Sequence, residues 1–330
     1  MILINDQQPL VSIIIVNWNS VNYLEKCLES LIASENKTAF EVIVVDNASY
    51  DGSADLIKNR FKQVKFYQLE KNLGFAGANN YGVKQASGEI LIFLNPDTEP
   101  STGFIDILSE TINNNNNAGA VGCLLINTDQ SIQLSSVMPF PSLLTIIFDI
   151  EIIITNFYWL PFLGVKPIFQ KTDIESVPVD VISGACLTVR KDVFESVGCF
   201  SEEYFMYSED VDLCFKIRKS GKTNLFTNRC RVLHHGGKSS ELQQVNAFSR
   251  KMKLESKRKY FRRNHSLFYS YAYVLLIFLK SIIRLILITF AVPLYLKKIK
   301  RIFIMYNKWI ISLIWASASI LGIKFGLENE

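Results

Sequence analysis

The feature that most constrains this chain is the alternation of apolar strand patterns with helix patterns over its first hundred residues. Residues 10–16 form a continuous apolar run rich in β-branched side chains, which is typical of a strand covered on both faces. Similar runs at residues 40–45, 64–69 and 89–94 alternate with helix patterns. This alternation predicts an α/β fold with a mostly parallel, Rossmann-like sheet.

Polar side chains follow each predicted strand at the point where the strand ends. Asn17 follows the first strand, Asp46 the second, Asn72 the third and Asp97 the fourth. Ligands of such sheets bind beyond the carboxyl ends of the strands. Any one of these residues is explained by an ordinary strand-to-loop transition, but the four together favour a ligand site.

Residues 201–221, SEEYFMYSEDVDLCFKIRKSG, carry a second polar cluster. The apolar spacing predicts a helix that ends at Gly221, with Glu209, Asp210 and Asp212 in its first turn. Acidic residues favour helix N-termini by a few tenths to about 1 kcal/mol each, which is the structural explanation. Two adjacent acids directly after an aromatic loop exceed that need, so we interpret the pair as a candidate functional group.

The stretch RVLHHGGKSS contains two of the chain's three histidines. A histidine beside a glycine turn is a plausible ligand for a divalent cation when an aspartate joins it. Asp97 is the candidate partner of His234, because EILIFLNPDTEP ends a buried strand in a carboxylate held by proline. A cation there would neutralise a departing diphosphate, and Asp210 could deprotonate an attacking hydroxyl.

These motifs together resemble the glycosyltransferases of family two, and in particular the rhamnosyltransferase-like branch of cell-surface polysaccharide assembly. The resemblance covers roughly residues 10–240. The matching stretches, in the family's order, are VSIIIVNWNS, EVIVVDNASYDGS, NLGFAGANN, LIFLNPDTEP, ISGACLTVRKDVF, YFMYSEDVDLCFKIRKSG and RVLHHGGKSS. The implied fold is the GT-A nucleotide-diphospho-sugar transferase fold, and the implied reaction is an inverting sugar transfer.

The resemblance also implies roles in binding a nucleotide-sugar donor. Asp46 would contact the nucleotide base, while Asn17, Asn72 and Gly77 would line the nucleotide pocket. Asn95 and Asp97 lie where the family has its Asp-x-Asp metal motif. Asn95 departs from that motif, because many relatives carry aspartate there.

The remaining implied roles concern the metal and the chemistry. His234 matches a metal-ligating histidine of some members, so Asp97 and His234 would hold a divalent cation, Mg²⁺ or Mn²⁺. The loss of one carboxylate at Asn95 weakens this site. Asp210 matches the inverting catalytic base, and Gly184 and Glu209 are assigned to the acceptor.

The charge of the chain is divided unequally. Residues 1–249 carry 19 Lys+Arg against 28 Asp+Glu, whereas residues 250–330 carry 16 against 3. A basic tail with long aliphatic runs suits an anionic membrane surface better than nucleic acid. We therefore predict a GT-A catalytic domain over residues 1–249 and a helical membrane-association region over residues 250–330.

The tail has apolar runs at 267–279, 285–296 and 309–323, separated by Lys280, Arg284, the 297–301 basic cluster and Lys308. No run reaches the roughly 20 apolar residues of a spanning helix. Interfacial amphipathic helices with basic residues at lipid headgroups are therefore favoured. Two tilted spans and a soluble oligomerisation tail are the alternatives, and the sequence does not predict the oligomeric state.

The location follows from the cysteines and the N-terminus. The six cysteines show no CxxC pair, which indicates buried free thiols in a reducing compartment, and no signal-peptide pattern is visible. The expected location is the cytoplasmic face of the plasma membrane. A lipid-linked saccharide acceptor would explain the tail, and the apolar 138–170 segment would line its approach.

The sequence contains features that argue against three functions other than sugar transfer. The NWNS stretch after the first strand lacks the glycines of a dinucleotide site, which argues against a NAD enzyme. It also lacks the basic glycine-rich loop of a sugar nucleotidyltransferase. A membrane-anchored sugar-binding or scaffold protein would not need Asp97, Asp210 and His234. The resemblance to the rhamnosyltransferase-like branch implies dTDP-rhamnose as the donor, followed by UDP-linked hexoses.

Overall fold

The computed structural model describes residues 10–148, 175–236, 247–291 and 299–323. These residues form two compact units. The first comprises the described residues of Met1–Phe140, Ile150–Phe205 and Glu209–Ser240, and the second those of Pro141–Asp149, Met206–Ser208 and Glu241–Glu330. Most of the apolar 138–170 segment, from residue 149 onward, lies outside the described residues.

The helices and strands are numbered in chain order. The strands are β1 (Val11–Asn17), β2 (Phe40–Asp46), β3 (Lys65–Gln68), β4 (Ile90–Leu94), β5 (Thr98–Pro100), β6 (Ala118–Ile126), β7 (Val137–Met138), β8 (Val177–Val179), β9 (Val181–Ile182), β10 (Cys186–Arg190) and β11 (Thr223–His234). The helices are α1 (Val21–Ala33), α2 (Ser53–Arg60), α3 (Gly74–Gln85), α4 (Phe104–Asn113), α5 (Leu143–Ile147), α6 (Lys191–Ser196), α7 (Glu209–Lys219), α8 (Ala247–Asn264), α9 (Leu267–Ala291) and α10 (Ile299–Ile320).

The first unit is built on one large mixed sheet with the strand order β3-β2-β1-β4-β10-β6-β11-β5, and β8 pairs with β11 beside this path. The predicted α/β fold is confirmed. Strands β3, β2, β1 and β4 are parallel, as the alternating pattern indicates. The sheet is mixed beyond β4, because β10 runs antiparallel to both β4 and β6.

The register of the parallel strands brings their carboxyl ends to one edge. Asn17, the last residue of β1, lies opposite Asp46, the last residue of β2. Ile15 lies opposite Leu94, so β4 ends at the same edge of the sheet, two residues before β1 does. All residues of β1, β2 and β4 are buried, which explains why these strands show continuous apolar runs rather than alternation.

All six cysteines are free thiols, and Cys199 is the one that is not fully buried. This agrees with the prediction of buried free thiols. Burial raises the pKa of the Cys27 thiol to about 12. A buried thiol of this kind is a poor nucleophile because the thiolate is the reactive form, so the five buried cysteines act as small apolar core residues.

The second unit is helical and contains α5, α8, α9 and α10. Its interior is aromatic: Tyr260, Phe261, Tyr273 and Trp315 are fully buried. The indole N–H of Trp315 donates to Glu255 Oε2 at 3.3 Å. This contact gives the buried indole its hydrogen-bond partner.

Helices α9 and α10 are continuous where the sequence suggested interrupted apolar runs. By length and composition, Leu267–Phe290 and Ile302–Ile320 could each cross a membrane, with mean hydropathies of 2.2 and 1.2. The helix α9 continues through its two charged residues, Lys280 and Arg284, and both of them contact other residues of the second unit. Lys280 donates to the Ile146 carbonyl, and the Arg284 guanidinium lies 5.9 Å from the Trp309 ring centroid.

An apolar stripe runs along the exposed side of α9. Its side chains are spaced by three or four residues and are each about half exposed or more: Phe268, Tyr271, Leu275, Leu279, Ile283, Ile286, Leu287 and Phe290. This spacing places them on one helical face. Neither Lys280 nor Arg284 belongs to this stripe, so the face is uncharged over six turns.

Candidate active site

The ends of β1 and β2 are joined through their polar side chains. Asn17 Nδ2 donates to Asp46 Oδ1 at 2.9 Å, to Ser49 Oγ at 3.1 Å and to Ser53 Oγ at 2.9 Å. Asp46 Oδ2 accepts the Ser49 N–H at 3.0 Å. Both Asn17 and Asp46 have no exposed surface. Through these hydrogen bonds the two side chains hold the 47–53 loop in place. Contact of Asp46 with a nucleotide base stays a prediction.

The ends of β2 and β3 are joined through the amide side chains of Asn47 and Asn72. The sequence predicts Asn72 as a site residue but not Asn47. Asn47 Nδ2 donates to Asn72 Oδ1 at 2.7 Å, and Asn47 Oδ1 accepts the Leu73 N–H at 2.8 Å. Gly74, the first residue of α3, has a φ of +71°, and a Cβ there would lie 2.4 Å from Phe205 O. Asn47 directly follows Asp46 in the DNAS stretch, which was the available signal for it.

Of two further residues predicted to bind the donor, Gly77 is packed inside a helix and Asn95 is tied to the sheet through its backbone. Gly77 is buried within α3, and a Cβ on it would lie 3.0 Å from Leu73 Cβ. The Asn95 N–H donates to Ala185 O at 3.0 Å, which ties the end of β4 to the turn before β10. Their roles toward a donor stay predictions.

Asp97 and His234 meet, as expected for the candidate metal site. Asp97 Oδ1 lies 3.4 Å from His234 Nε2, and their side chains are 7% and 15% exposed. Antiparallel pairing of β5 with β11 sets this approach, because Thr98 lies opposite His234. The His235 N–H also donates to Asp97 O at 2.9 Å.

The chemistry of this pair fits a divalent cation. Two ligand atoms bound to the same ion at about 2.1–2.2 Å lie about 3.0–3.5 Å apart, which matches the separation of Asp97 Oδ1 and His234 Nε2. Within the described ranges, no group of three or more His, Cys, Asp or Glu side chains forms a metal cage. Mg²⁺ commonly uses one or two protein ligands and fills its other positions with phosphate oxygens and water.

Glu209 and Asp210 begin helix α7. Asp210 Oδ2 accepts the Gly184 N–H at 3.0 Å, and its Oδ1 accepts the Val211 N–H at 2.8 Å. Burial raises the pKa of Asp210, and these backbone donors oppose that shift. Burial raises the pKa of Glu209 well above its usual range, with the nearby Asp210 charge as a second cause.

Gly184 supports the Asp210 carboxylate directly. Besides the hydrogen bond, a Cβ at position 184 would lie 3.4 Å from Asp210 Cβ and 3.5 Å from its Oδ2. A larger side chain at position 184 would therefore crowd the carboxylate. The sequence placed Gly184 with the acceptor, whereas its observed contact is to the predicted base.

Glu209→Gln should stabilise the protein at neutral pH. Because the Glu209 pKa is raised in the folded state, the folded chain binds more protons than the unfolded chain between the ordinary and the raised pKa. The stability of the wild type therefore falls as pH rises through that window, and glutamine removes this loss. We expect a higher melting temperature for the variant at pH 7 and no such gain below the ordinary glutamate pKa of about 4.3.

Thermal denaturation followed by circular dichroism over a pH series measures this difference. Glu70→Gln is the control, because Glu70 is an exposed loop residue of the first unit. It should change the melting temperature little at any pH. Equal stability of Glu209→Gln and wild type at pH 7 would contradict the prediction.

The family model described as "Glycosyl transferase family 2" matches residues 12–198. An N-acetylglucosaminyl-diphospho-decaprenol L-rhamnosyltransferase of Mycobacterium tuberculosis is 30% identical over 246 residues, which cover 70% of this chain and 78% of the relative. The rhamnosyltransferase WbbL of Escherichia coli is 26% identical over 237 residues, covering 68% and 83%.

Two solved structures resemble the described fold. A mannosyltransferase of Pyrobaculum calidifontis in complex with GDP-Man and Mn²⁺ gives a TM-score of 0.58 at 16% identity, covering 97% of this chain and 89% of that one. GalNAc-T7 with UDP, GalNAc and Mn²⁺ gives 0.52 at 19% identity, covering 69% and 43%. At these identities the likeness concerns the fold.

Proposed function

The chain belongs to glycosyl transferase family 2, and from this membership we propose that it transfers rhamnose from dTDP-rhamnose to a lipid-linked saccharide in the assembly of a cell-surface glycan. The observation that carries the choice of sugar and acceptor is the relationship to the mycobacterial rhamnosyltransferase, whose name specifies a diphospho-decaprenol acceptor. UDP-linked hexoses are the next donors to consider.

We assign the base of the reaction to Asp210. Its carboxylate is oriented by two backbone N–H groups and has a raised pKa, so it is a stronger proton acceptor than an exposed aspartate. Asp210 takes the proton of the acceptor hydroxyl while that oxygen bonds to the anomeric carbon. The bond from this carbon to the diphosphate oxygen breaks on the opposite side, and the configuration inverts.

We assign the diphosphate end of the donor to Asp97 and His234. Their carboxylate oxygen and imidazole nitrogen would hold a divalent cation, Mg²⁺ or Mn²⁺. When bound, the cation would neutralise negative charge on the diphosphate leaving group. Asn95 would add a neutral oxygen near this end, in place of the carboxylate that many relatives have.

The nucleotide would lie along the edge where β1, β2 and β3 end. Asn17 and Asp46 form the wall of this region and Asn72 its next border, through the hydrogen bonds that fix the 47–53 loop and the start of α3. Gly77 keeps α3 closely packed. Glu209 and Gly184, which flank Asp210, would face the acceptor.

We assign membrane association to residues 250–330 and catalysis to residues 1–249. The support is the exposed apolar stripe of α9 together with the basic charge of the tail. The expected location is the cytoplasmic face of the plasma membrane, where the unit keeps the enzyme near an acceptor that cannot leave the bilayer. We expect no nucleic-acid partner.

Replacing part of the apolar stripe should release the protein from lipid. Leu275→Glu combined with Leu279→Glu places two charges on the exposed face of α9, where each residue is about half exposed. Burying a charge at a lipid-facing surface is costly, so the double substitution should lower partitioning of the protein from water into vesicles by at least about tenfold. Flotation of the full chain with vesicles containing phosphatidylglycerol measures the effect.

The control for flotation is Ile32→Glu. Ile32 is an exposed apolar residue of α1 in the first unit, 43% exposed. This substitution should leave flotation at the wild-type level. Equal flotation of the α9 double variant and the wild type would show that the stripe does not face lipid.

The proposed donor is tested by calorimetric titration of the detergent-purified protein with dTDP- and UDP-sugars, with and without Mg²⁺ or Mn²⁺. Cation-dependent binding of dTDP-rhamnose, tighter than that of the other donors, is the expected result. Tighter binding of a UDP-hexose would replace the proposed sugar. Absence of binding by a folded sample to every donor would favour a sugar-binding or scaffold role.

A further inference from the structure

His234 lies at the inner end of a hydrogen-bonded chain of polar side chains. The chain starts at Asp129 in the turn after β6 and passes through Ser131, Asn127 and Gln133. Its bonds are Ser131 Oγ to Asp129 Oδ1 at 2.5 Å, Asn127 Nδ2 to Ser131 Oγ at 2.8 Å, Gln133 Nε2 to Asn127 Oδ1 at 2.8 Å and Gln133 Oε1 with His234 Nδ1 at 2.9 Å.

The direction of each bond follows from groups that can only accept. The ionised Asp129 carboxylate has no proton to give, so Ser131 Oγ is the donor to it. The Ser131 oxygen then accepts from the Asn127 amide nitrogen. This leaves the Asn127 oxygen facing Gln133, where it accepts from Gln133 Nε2.

The second N–H of Gln133 fixes its orientation independently. Gln133 Nε2 also donates to the backbone oxygen of His234 at 2.7 Å, and a carbonyl oxygen only accepts. Both amide protons are therefore used, and Gln133 Oε1 must face the imidazole. An amide oxygen accepts, so the proton on this contact belongs to His234 Nδ1.

Burial holds this arrangement in place. Gln133 is 9% exposed, and its own N–H donates to Leu125 O at 2.9 Å, which anchors the residue beside β6. Gly236 has a φ of +66°, and a Cβ there would lie 3.5 Å from Gln133 Nε2. The backbone of Gln133 is therefore anchored to β6, and its side-chain amide lies close to Gly236.

We propose that Gln133 is a positioning residue that fixes neutral His234 in the tautomer with its proton on Nδ1. Nε2 then presents a lone pair toward Asp97 Oδ1, 3.4 Å away. The lone pairs of His234 Nε2 and Asp97 Oδ1 repel each other at this distance. A cation bound between the two atoms would remove that repulsion, because both atoms could then act as its ligands. This inference rests on the proposed function for the cation, whereas the tautomer itself does not.

The tautomer has physical consequences for the site. The hydrogen bond at one imidazole nitrogen decides which nitrogen is free for a metal. The neutral imidazole of free histidine prefers the proton on Nε2, the nitrogen that faces Asp97 here. Without Gln133, that nitrogen would donate to the carboxylate, and cation binding would have to displace the proton. Such outer partners typically affect metal affinity by about 10–100-fold.

The tautomer is measured by nitrogen NMR of histidine-labelled, metal-free protein at a pH well above the usual histidine pKa of about 6.5. The chain has three histidines, so His235→Gln and His265→Gln assign the signals. We expect His234 Nδ1 in the protonated range and Nε2 in the unprotonated range. The opposite assignment in the wild type overturns the proposal.

Two variants test the role of the Gln133 oxygen. Gln133→Met keeps the length of the side chain and removes the acceptor, so His234 should shift to the Nε2-protonated form and Mn²⁺ affinity should fall by about 10–100-fold. Gln133→Glu keeps an acceptor for Nδ1 and should retain the wild-type tautomer. Its second oxygen replaces the donor to Asn127 Oδ1 and to the His234 carbonyl, so its Mn²⁺ affinity should lie between those of the methionine variant and the wild type. Ser131→Ala removes the outer link and should retain the tautomer, because Gln133 still donates to the His234 carbonyl.

The outcomes separate this inference from the proposed function. If wild type shows the expected tautomer but binds no Mn²⁺ by electron paramagnetic resonance, the cation role fails and the role of Gln133 stands. If Gln133→Met keeps the wild-type tautomer, Gln133 does not set it and the proposal fails. If the methionine and glutamate variants lose Mn²⁺ affinity equally with the tautomer unchanged, Gln133 acts only on packing, which also overturns it.

Discussion

Asp210→Asn lowers the turnover number for sugar transfer by about 10³-fold, within the usual range for loss of a general base, and changes donor affinity by less than about threefold. Asparagine has nearly the same shape, and its oxygen can still accept a hydrogen bond from Gly184 or Val211. It cannot take the proton of the acceptor hydroxyl. The acceptor oxygen would then attack in its neutral, less nucleophilic form.

Asp192→Asn is the matched control for this substitution. Asp192 stands in the first turn of α6 and accepts the N–H of the next residue, Val193, at 2.7 Å, just as Asp210 accepts the Val211 N–H at 2.8 Å. A turnover number near wild type is expected for the control. Loss of donor binding in Asp210→Asn, measured by calorimetry, would contradict a role confined to the proton.

Asp97→Ala weakens donor binding in the presence of Mn²⁺ by more than the roughly 10–100-fold that loss of an outer partner of a metal ligand causes, and removes its dependence on the cation. The substitution deletes one of the two proposed cation ligands and leaves His234 Nε2 as the other, at the end of β11. Without a cation, the charge of the donor diphosphate is not compensated there. Calorimetric titrations with and without Mn²⁺ measure both effects.

Asp55→Ala is the control for Asp97→Ala, because Asp55 is an exposed acid of α2 in the same unit. Its donor affinity should equal that of the wild type. A melting temperature for Asp97→Ala close to that of the wild type excludes unfolding as the cause. Unchanged donor affinity in a folded Asp97→Ala sample would count against the cation site.

The sheet is the part of the structure that the sequence predicts best. Strands β1, β2 and β4 are buried on both faces, so their apolar runs are continuous and the polar residues that follow them mark the strand ends. The apolar pattern does not predict that β10 lies between β4 and β6 and runs antiparallel to both. A five-residue strand with the pattern CLTVR carries no information about its neighbours or their direction.

The contacts of the site are predictable only in part. The approach of Asp97 to His234 was inferred from chemistry, but it depends on the pairing of β5 with β11 across more than a hundred residues. Gln133 carried no signal, because NTDQSIQ is typical of a surface turn and its link to His234 arises from tertiary folding. Local patterns do not contain such long-range hydrogen bonds.

The side-chain partners of several charged and polar residues could not be predicted from the sequence. Asn17 was expected to line the nucleotide pocket and Asp46 to contact the base. Both roles stay predictions, and the structure adds that the two side chains are fully buried and that Asn17 donates a hydrogen bond to Asp46. In the tail, the location of Lys280 and Arg284 at lipid headgroups stays a prediction, and their observed partners are the Ile146 carbonyl and the Trp309 ring. In both cases the partner lies far away along the chain, and the pattern around each residue gives no indication of it.

The most direct test of the proposed function is a transfer assay. The protein in detergent is incubated with dTDP-rhamnose, Mn²⁺ and an N-acetylglucosaminyl-diphospho-polyprenol, and the lipid product is analysed by mass spectrometry and by NMR of its anomeric proton. We expect addition of one deoxyhexose with the anomeric configuration opposite to that of the donor, and a rate of product formation about 10³-fold lower with Asp210→Asn. A product of retained configuration, or equal product from Asp210→Asn, would contradict the assignment of Asp210 as the base of an inverting transfer.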